Sequence, residues 1–204
     1  MYIPEYYKNN DQKEILEFLK ANAFGILVTG GSKLLATHIP LELIERNGSF
    51  FLEGHVARGN EQWKTFKNEK EVLAIFNGPH SYVSSSWYDF EEVPTWNYVA
   101  VHVYGKLKEV TGEAFEALLH RLINKYEATM KNPIKPENLS KKTMAQMRGI
   151  IGFEIEITDI QATYKLSQSH NDKNYHSVVE ELEKTPLSAS NEIAELMKKK
   201  RPKR

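Results

Sequence analysis

An Asn-Gly pair, Asn47-Gly48, lies between two runs of residues that are typical of β-strands, LLATHIPLELI and SFFLEGHV. A tight primed turn needs positive φ at both of its central positions, and Asn-Gly tolerates this better than other pairs. The two runs therefore predict an antiparallel hairpin. Because this pair specifies both the direction and the closeness of two strands, it constrains the fold more than any other feature of the chain.

Further short β-rich runs extend the hairpin to an antiparallel meander. They are FGILVT before the hairpin and, after it, EVLAIFN, SYVSSSWY, WNYVAVHVYGKLKEV and GIIGFEIEITDIQATYKLSQ. Tyr98, Ala100 and His102 alternate with Val99 and Val101, which predicts one polar, aromatic face and one apolar face.

Helical patterns precede the strands and lie between the later ones. We expect helices over 11–22, with Asp11 as cap, and around 60–66, 112–130 and 137–147. Beyond Ser169 the composition predicts helical or mobile chain. Six or seven short strands with such helices predict a mainly β fold with peripheral helices, a small closed or partly closed barrel.

Composition excludes several function classes. The 204 residues contain no cysteine, so the chain has no disulfide, thiolate nucleophile or Cys-ligated metal. No segment reaches the roughly 18 apolar residues of a membrane span, and no signal peptide precedes the helix, so we expect a cytoplasmic, soluble protein. Neither G-x-G-x-x-G nor a P-loop follows a strand, which disfavours Rossmann and P-loop nucleotide sites.

Charge is balanced overall but not along the chain. There are 27 basic and 27 acidic residues, and six of the basic ones lie in the last seven positions, KKKRPKR. The remaining chain carries about six net negative charges, which is unfavourable for contact with a phosphate backbone. We interpret the basic tail as a solvated, disordered end.

The segment Gly54 to Asn60 leaves a strand and enters a helix. Free backbone N–H groups, the positive end of a helix and the guanidinium of Arg58 together suit a phosphate group. The alternative is structural, with Asn60 as a helix cap and Arg58 as a surface residue.

The segment Thr37 to Pro40 lies on the strand before the hairpin turn. Proline within a strand indicates an edge, a bulge or the end of regular pairing, where a sheet opens to a ligand. His38 and His55 could form a metal site, but no third ligand at typical spacing accompanies them.

The third cluster is rich in aromatic and hydroxyl groups, and it comprises Gly78 to Tyr88 and Val93 to Tyr98. Flat aromatic walls with polar groups between them suit a planar heterocycle. The alternative is an aromatic core layer. A serine hydrolase is disfavoured because no G-x-S-x-G elbow is present.

Taken in order, these strings resemble the PaiB family of FMN-binding negative regulators. The strings are MYIP at residue 1, Ala23-Phe24-Gly25, His38-Ile39-Pro40, Gly54 to Arg58, Gly78 to Ser84, Trp87-Tyr88, Val93 to Tyr98, Val101-His102 and Lys165 to Gln168. Each string is weak alone, but their order and spacing from residue 1 to about 170 are specific.

The resemblance implies an FMN-binding split β-barrel, antiparallel and Greek-key-like, over residues 1–170, with a helical or flexible extension over 171–204. It also implies a homodimer whose subunits share the FMN grooves. By the resemblance, the flavin phosphate is held by His55, Arg58 and Asn60, and the ribityl chain or ring is approached by His38, Ile39 and Pro40. The resemblance also implies that the ring pocket is shaped by Trp87, Trp96, Asn97 and Tyr98. Finally, it implies that Lys165 and Gln168 reach the cofactor.

Three functions remain open. The family resemblance implies a negative transcriptional regulator, although the residues contain no helix-turn-helix with a basic recognition helix, so direct DNA binding is undecided. The alternative is an NAD(P)H-linked, FMN-dependent oxidoreductase of unknown substrate, with His80, Tyr82 and Tyr98 beside the flavin. Haem binding or breakdown, with His170 or His176 as axial ligand, is a third possibility, and no other metal site is predicted.

Overall fold

The computed structural model describes residues 1–31, 33–68 and 71–201. Its strands are β1 Phe24–Thr29, β2 Leu35–Pro40, β3 Glu42–Arg46, β4 Ser49–Ala57, β5 Glu71–Val83, β6 Thr95–Val110 and β7 Ile150–Lys165. Its α-helices are α1 Gln12–Ala21, α2 Gly112–Glu127, α3 Lys141–Met144, α4 Asp172–Lys184 and α5 Ser188–Lys200. Short 3₁₀ helices span Glu5–Tyr7, Glu61–Asn68, Ser85–Trp87, Pro136–Asn138 and Ala145–Gly149.

The strands form one sheet in the order β2-β1-β5-β6-β7-β4-β3. The pairings of β1 with β2 and β5, and of β4 with β3 and β7, are antiparallel. The predicted mainly β, antiparallel fold with peripheral helices is confirmed.

The hairpin between β3 and β4 turns at the predicted pair. Asn47 and Gly48 have φ of 52° and 79°, and Arg46 pairs with Ser49 across the turn. Both residues adopt the positive φ that a primed turn requires, so the local sequence determines the turn.

The chain divides into two compact units. The first unit comprises Met1–Ile15, Asn77–His102 and Gln161–Arg204, and the second unit comprises Leu16–Phe76 and Val103–Ile160. The boundary predicted at residue 170 is not tested by this division and stays a prediction.

In the second unit, β4 presents opposite faces to two environments. Leu52 and Val56 are buried in the core with Phe153 and Phe66, whose rings meet edge to face at 5.2 Å. On the other face, the Glu53 carboxylate accepts three hydrogen bonds from the Arg121 guanidinium of α2, at 2.7, 2.9 and 3.2 Å. This pair ties α2 to the sheet because a buried carboxylate needs a charged partner.

In the first unit, α4 and α5 pack together around a fully buried tyrosine. The Tyr175 hydroxyl of α4 donates a hydrogen bond to the Met197 carbonyl of α5 at 2.8 Å. Leu182 and Ile193 complete this contact and are also fully buried. The predicted helical segment beyond residue 170 is therefore an ordered helix pair.

The helix predicted around 60–66 is present as the 3₁₀ helix Glu61–Asn68, whereas another predicted helix differs in the structure. The segment 137–147 is broken, because the Ser140 hydroxyl accepts the Thr143 N–H and starts the one-turn helix α3 there.

The interpretation of the basic tail as a disordered end is wrong for residues 198–201. Lys198 pairs with Glu195 at 3.1 Å and with Glu183, and Lys200 pairs with Glu14 at 2.5 Å. Arg201 pairs with Asp172 and donates to the His170 carbonyl at 2.7 Å. These ion pairs hold the end of α5 in place. Residues 202–204 of the predicted tail lie outside the described residues.

Candidate functional site

The first predicted group, His38, Ile39 and Pro40, lies at the end of β2, the terminal strand in the sheet order. Ile39 is buried in the core, whereas His38 is exposed, with its ring centroid 6.4 Å from that of Phe24. Pro40 is the last residue of the strand, as the absence of its N–H requires. Because side chains alternate along a strand, His38 and Ile39 point to opposite faces.

His55 lies on β4 opposite Gly152 of β7, and its side chain is half-buried. It points to the same side of the strand as Glu53, the side that carries α2. Burial lowers the pKa of His55 below its ordinary 6.5. Burial therefore favours the neutral imidazole, a form that offers one donor and one acceptor but no charge.

Arg58 follows β4 and is held at three atoms. Its main-chain N–H donates to the Gly149 carbonyl at 2.8 Å, its Nε donates to the Arg148 carbonyl at 2.9 Å, and its own carbonyl accepts the Trp63 Nε1–H at 2.9 Å. Within residues 1–31, 33–68 and 71–201, the Nη groups make no ion pair and no hydrogen bond. The side chain is thus exposed yet oriented, with its outer donors available.

Asn60 has a structural role in the turn after β4. Its Oδ1 accepts the Gln62 N–H at 3.0 Å, and its Nδ2 donates to the Thr37 hydroxyl at 2.8 Å. Both ends of the amide are therefore engaged in capping the 3₁₀ helix and in joining this turn to β2. Its assignment to the phosphate stays a prediction.

A cavity of about 480 Å³ in the second unit brings Arg58 together with two further cations, Lys141 and Arg148. The carboxylates of Glu109 and Glu116 line it as well, so its charged groups sum to one net positive charge. Its apolar lining comes from Phe115, Met144, Met147, Ile150 and Ile151. A cationic, partly apolar cavity of this size suits a small molecule that carries an anionic group.

Lys141 and Arg148 were not predicted from the sequence. Arg148 joins Arg58 because β4 and β7 pair in a register that sets Ala57 opposite Ile150. The residue after Ala57 therefore meets the residues just before Ile150. Strand register leaves no sign in the local sequence pattern. From the sequence, only the positive charge of Lys141 and Arg148 could be recognised.

Trp87 and Trp96 line a cavity of about 530 Å³ in the first unit, together with His80 and Tyr82. The Trp96 ring meets Tyr82 edge to face at 5.9 Å and lies 6.1 Å from His80. Trp87 belongs to the 3₁₀ helix after β5, and its carbonyl accepts the Ser177 hydroxyl at 2.7 Å. The sequence cluster therefore forms an aromatic cavity wall.

Asn97 and Tyr98 are neighbours on β6 and point to opposite faces. Asn97 is fully buried, its Nδ2 donating to the Ser167 hydroxyl at 2.9 Å and to the Met197 sulfur at 3.5 Å. Tyr98 is half-buried on the face that also carries Trp96. The structure thus separates Asn97 from the aromatic face, and its role at a cofactor stays a prediction.

Lys165 and Gln168 lie at the end of β7 and in the turn after it. The Lys165 ammonium contacts the Thr95 hydroxyl and lies 5.6 Å from the centroid of the Tyr7 ring. Burial lowers the pKa of Lys165. Gln168 accepts the Leu166 N–H at 2.7 Å and donates to the Tyr164 carbonyl, so its amide closes the turn.

The two histidines named as haem ligands, His170 and His176, each lie against a tyrosine ring, and the haem alternative stays a prediction. Within the described ranges no group of three or more His, Cys, Asp or Glu side chains could hold a metal ion. His170 stacks on Tyr88 with centroids 4.6 Å apart, and His176 meets Tyr175 edge to face at 6.0 Å. No described helix is long and apolar enough to cross a membrane.

The sequence is similar to known proteins over nearly its full length. A family model described as "Putative FMN-binding domain" matches residues 1–159. The chain is 43% identical over 202 residues to "Protease synthase and sporulation protein PAI 2" of Bacillus subtilis, covering 98% of each chain. It is 27% identical over 244 residues to an uncharacterized protein of Emericella nidulans, covering 98% of this chain and 97% of that one.

Solved structures resemble the fold. The flavocytochrome Anf3 from Azotobacter vinelandii matches with a TM-score of 0.61 and 13% identity, covering 86% of this chain and 78% of its own. The FAD and heme binding protein from Mycobacterium smegmatis matches with a TM-score of 0.55 and 13% identity, covering 78% and 73%. At this identity the likeness concerns the fold alone, and it confirms the predicted split β-barrel class.

Proposed function

This chain belongs to the PaiB family of FMN-binding proteins, and from that premise we propose that it is a flavin-carrying homodimer that negatively regulates transcription. Its cofactor is FMN, since the matching family domain covers residues 1–159. The regulatory part is supported by the 43% identity, over 98% of both chains, to a protein named for protease synthesis and sporulation.

The observation that carries the cofactor site is the guanidinium of Arg58 in the 480 Å³ cavity of the second unit. Its Nε and main-chain groups are engaged, so the Nη donors are oriented rather than free to rotate. An oriented guanidinium binds a phosphate through two parallel hydrogen bonds. Lys141 and Arg148 add positive charge from the same cavity.

The lining of the cavity in the second unit fits the phosphate of FMN, because Arg58, Lys141 and Arg148 supply positive charge there. When bound, FMN supplies a ring system that accepts and donates electrons. The chain's contribution is to hold the phosphate with Arg58 and to keep His55 neutral beside α2, where burial lowers its pKa.

Regulation through operator contact by the helix pair α4–α5 is not supported by its surface. A link of only three residues joins the helices, and the exposed side of α5 carries Glu192 and Glu195 before the three lysines at its end, Lys198 to Lys200. Lys198 and Lys200 are engaged in ion pairs with acidic residues of the same unit. A recognition helix needs a basic face, so we propose that regulation does not depend on DNA contact by α5.

An FMN-dependent oxidoreductase is the second candidate function. The observation in its favour is the aromatic cavity of the first unit, where His80 and Tyr82 offer polar groups beside Trp96. A cavity of that size accepts a substrate ring.

The test is the visible absorbance of purified protein titrated with FMN, followed by anaerobic NADPH or NADH. Saturable binding without bleaching supports the flavin-carrying regulator. Bleaching by either nucleotide supports the oxidoreductase instead. Absence of any FMN binding would contradict both proposals.

A further inference from the structure

The aromatic cavity of the first unit has a second wall, made by the link between α4 and α5 together with the first turn of α5. This link wall comprises Thr185 and residues 187–190. It lies beyond residue 159, where the match to the family model ends. The wall is therefore a feature of this chain's C-terminal segment rather than of the matched family domain.

The link wall is held in place from both sides. The Ser190 hydroxyl of α5 lies 2.9 Å from the Ser81 hydroxyl of β5, and both residues are buried. The Thr185 hydroxyl donates to the Glu181 carbonyl at 3.1 Å, which fixes Thr185 to the last turn of α4. Because both ends are anchored, the wall is preformed and needs little ordering when a ligand binds.

The cavity exposes large apolar side chains to solvent on both walls. Trp96 is 53% exposed and Tyr82 46% exposed on the aromatic wall, and Leu187 is 62% exposed on the link wall. Single exposed apolar side chains are ordinary, but three of them around one concavity indicate a binding surface. The volume of about 530 Å³ lies within the range of small-molecule sites.

The chemistry of the lining restricts the ligand. Its members carry aromatic, aliphatic, hydroxyl and imidazole groups, and none of them is Asp, Glu, Lys or Arg. A charged group placed there would lose its hydration without gaining a charged partner. A flat, uncharged ring gains offset or edge-to-face contacts with Trp96 and Tyr82 instead.

We propose that this cavity binds a planar, uncharged aromatic ring system, and that Leu187 and Ala189 of the link wall set the size of ring it accepts. Two sources share this chemistry: the isoalloxazine of the cofactor and the ring of a separate substrate. The first source rests on the proposed FMN binding, whereas the second does not.

The experiment compares ligand binding by the full chain and by Ala189→Phe, which fills part of the cavity from the link wall. Three probes are used. The binding of FMN and of riboflavin is measured by fluorescence titration. The binding of menadione is measured by equilibrium dialysis against the protein, with and without saturating FMN. The matched control is Ala117→Phe on an exposed position of α2 that lines neither cavity. We expect Ala189→Phe to weaken at least one probe tenfold or more, and Ala117→Phe to change each less than twofold.

The pattern of losses identifies the source of the ring. Weaker FMN and riboflavin binding places the cofactor ring in the cavity, and weaker menadione binding with unchanged FMN binding places a separate substrate there.

If Ala189→Phe lowers the melting temperature, Leu187→Glu repeats the test at an exposed position, with the same loss expected. The inference is overturned if Ala189→Phe and Leu187→Glu both bind all three probes as the wild type does. It is also overturned if the wild type binds none of the probes. If the wild type binds riboflavin or menadione but not FMN, the proposed function fails and the cavity inference stands.

Discussion

Arg58 has its main-chain N–H, its carbonyl and its Nε engaged, so only its Nη groups remain to bind a ligand. We expect Arg58→Ala to weaken FMN binding by about 1.5–3 kcal/mol, roughly 10- to 150-fold in Kd, the range for hydrogen bonds to a charged group. The measurement is a fluorescence titration with FMN. Lys106→Ala, at an exposed cation of β6 that does not line the cavity, should leave Kd unchanged. An unaltered Kd in Arg58→Ala would reject the phosphate assignment.

Glu154 of β7 is a buried carboxylate held by Arg46 and, at 2.8 Å, by Lys108. Burial raises its pKa, but the hydrogen bonds and charges of Lys108 and Arg46 outweigh burial, and the pKa lies below the ordinary 4.5. A group whose pKa is lowered by folding stabilises the fold above its unfolded pKa. This stabilisation is lost as the pH falls through the lower, folded value.

We therefore expect the free energy of unfolding to decrease as the pH falls below 4.5, and Glu154→Gln to reduce that decrease while costing about 1 kcal/mol at pH 7. Urea unfolding at several pH values measures both effects. Glu91→Gln, at an exposed carboxylate of the first unit, is the control and should leave the pH profile as it is. An identical pH profile in Glu154→Gln and wild type would show that Glu154 is not the group responsible.

Helix α2 lies against β7 at a glycine. A Cβ built on Gly152 would lie 2.2 Å from the Phe115 ring, so only glycine allows α2 this close approach. We expect Gly152→Ala to lower the free energy of unfolding by about 1–3 kcal/mol, as overpacking does. Thermal and urea denaturation measure the change.

Gly149→Ala is the matched control, because a Cβ there meets nothing within 4 Å and its φ is not positive. Its stability should be unchanged or slightly higher, since alanine restricts the unfolded chain. If both variants unfold alike, the contact between Phe115 and Gly152 does not position α2. Phe115 also lines the cavity of Arg58, so a displaced α2 should weaken FMN binding in Gly152→Ala as well.

The assembled molecule is expected to be a dimer, as the family resemblance implies. Several large apolar side chains of the described chain are strongly exposed, among them Phe24, Leu34 and Val93, and burial of such groups drives association. Light scattering at micromolar concentration should give about twice the 23.5 kDa of one chain. A particle of one chain's mass, with or without FMN, would contradict grooves shared by two subunits.

Several features could be predicted because they depend on neighbours along the chain. Local geometry determines the turn at Asn47-Gly48 and the alternation that buries Val99 and Val101. It also determines the helix cap at Asp11, whose carboxylate accepts the Glu14 N–H at 3.1 Å. The order of the short strings likewise identified the family and its cofactor. The helix around 137–147 was predicted less well, because Ser140 competes for the backbone N–H of Thr143.

The sequence by itself determined the mainly β class, the hairpin, the FMN cofactor and Arg58 as a candidate phosphate ligand. Only the tertiary structure decided what surrounds these residues. Arg148 meets Arg58 across 90 positions, and Ser190 meets Ser81 across 109. Such contacts depend on strand register and on the packing of α5, which arise from the summed burial of many distant side chains and leave no periodic trace in the chain.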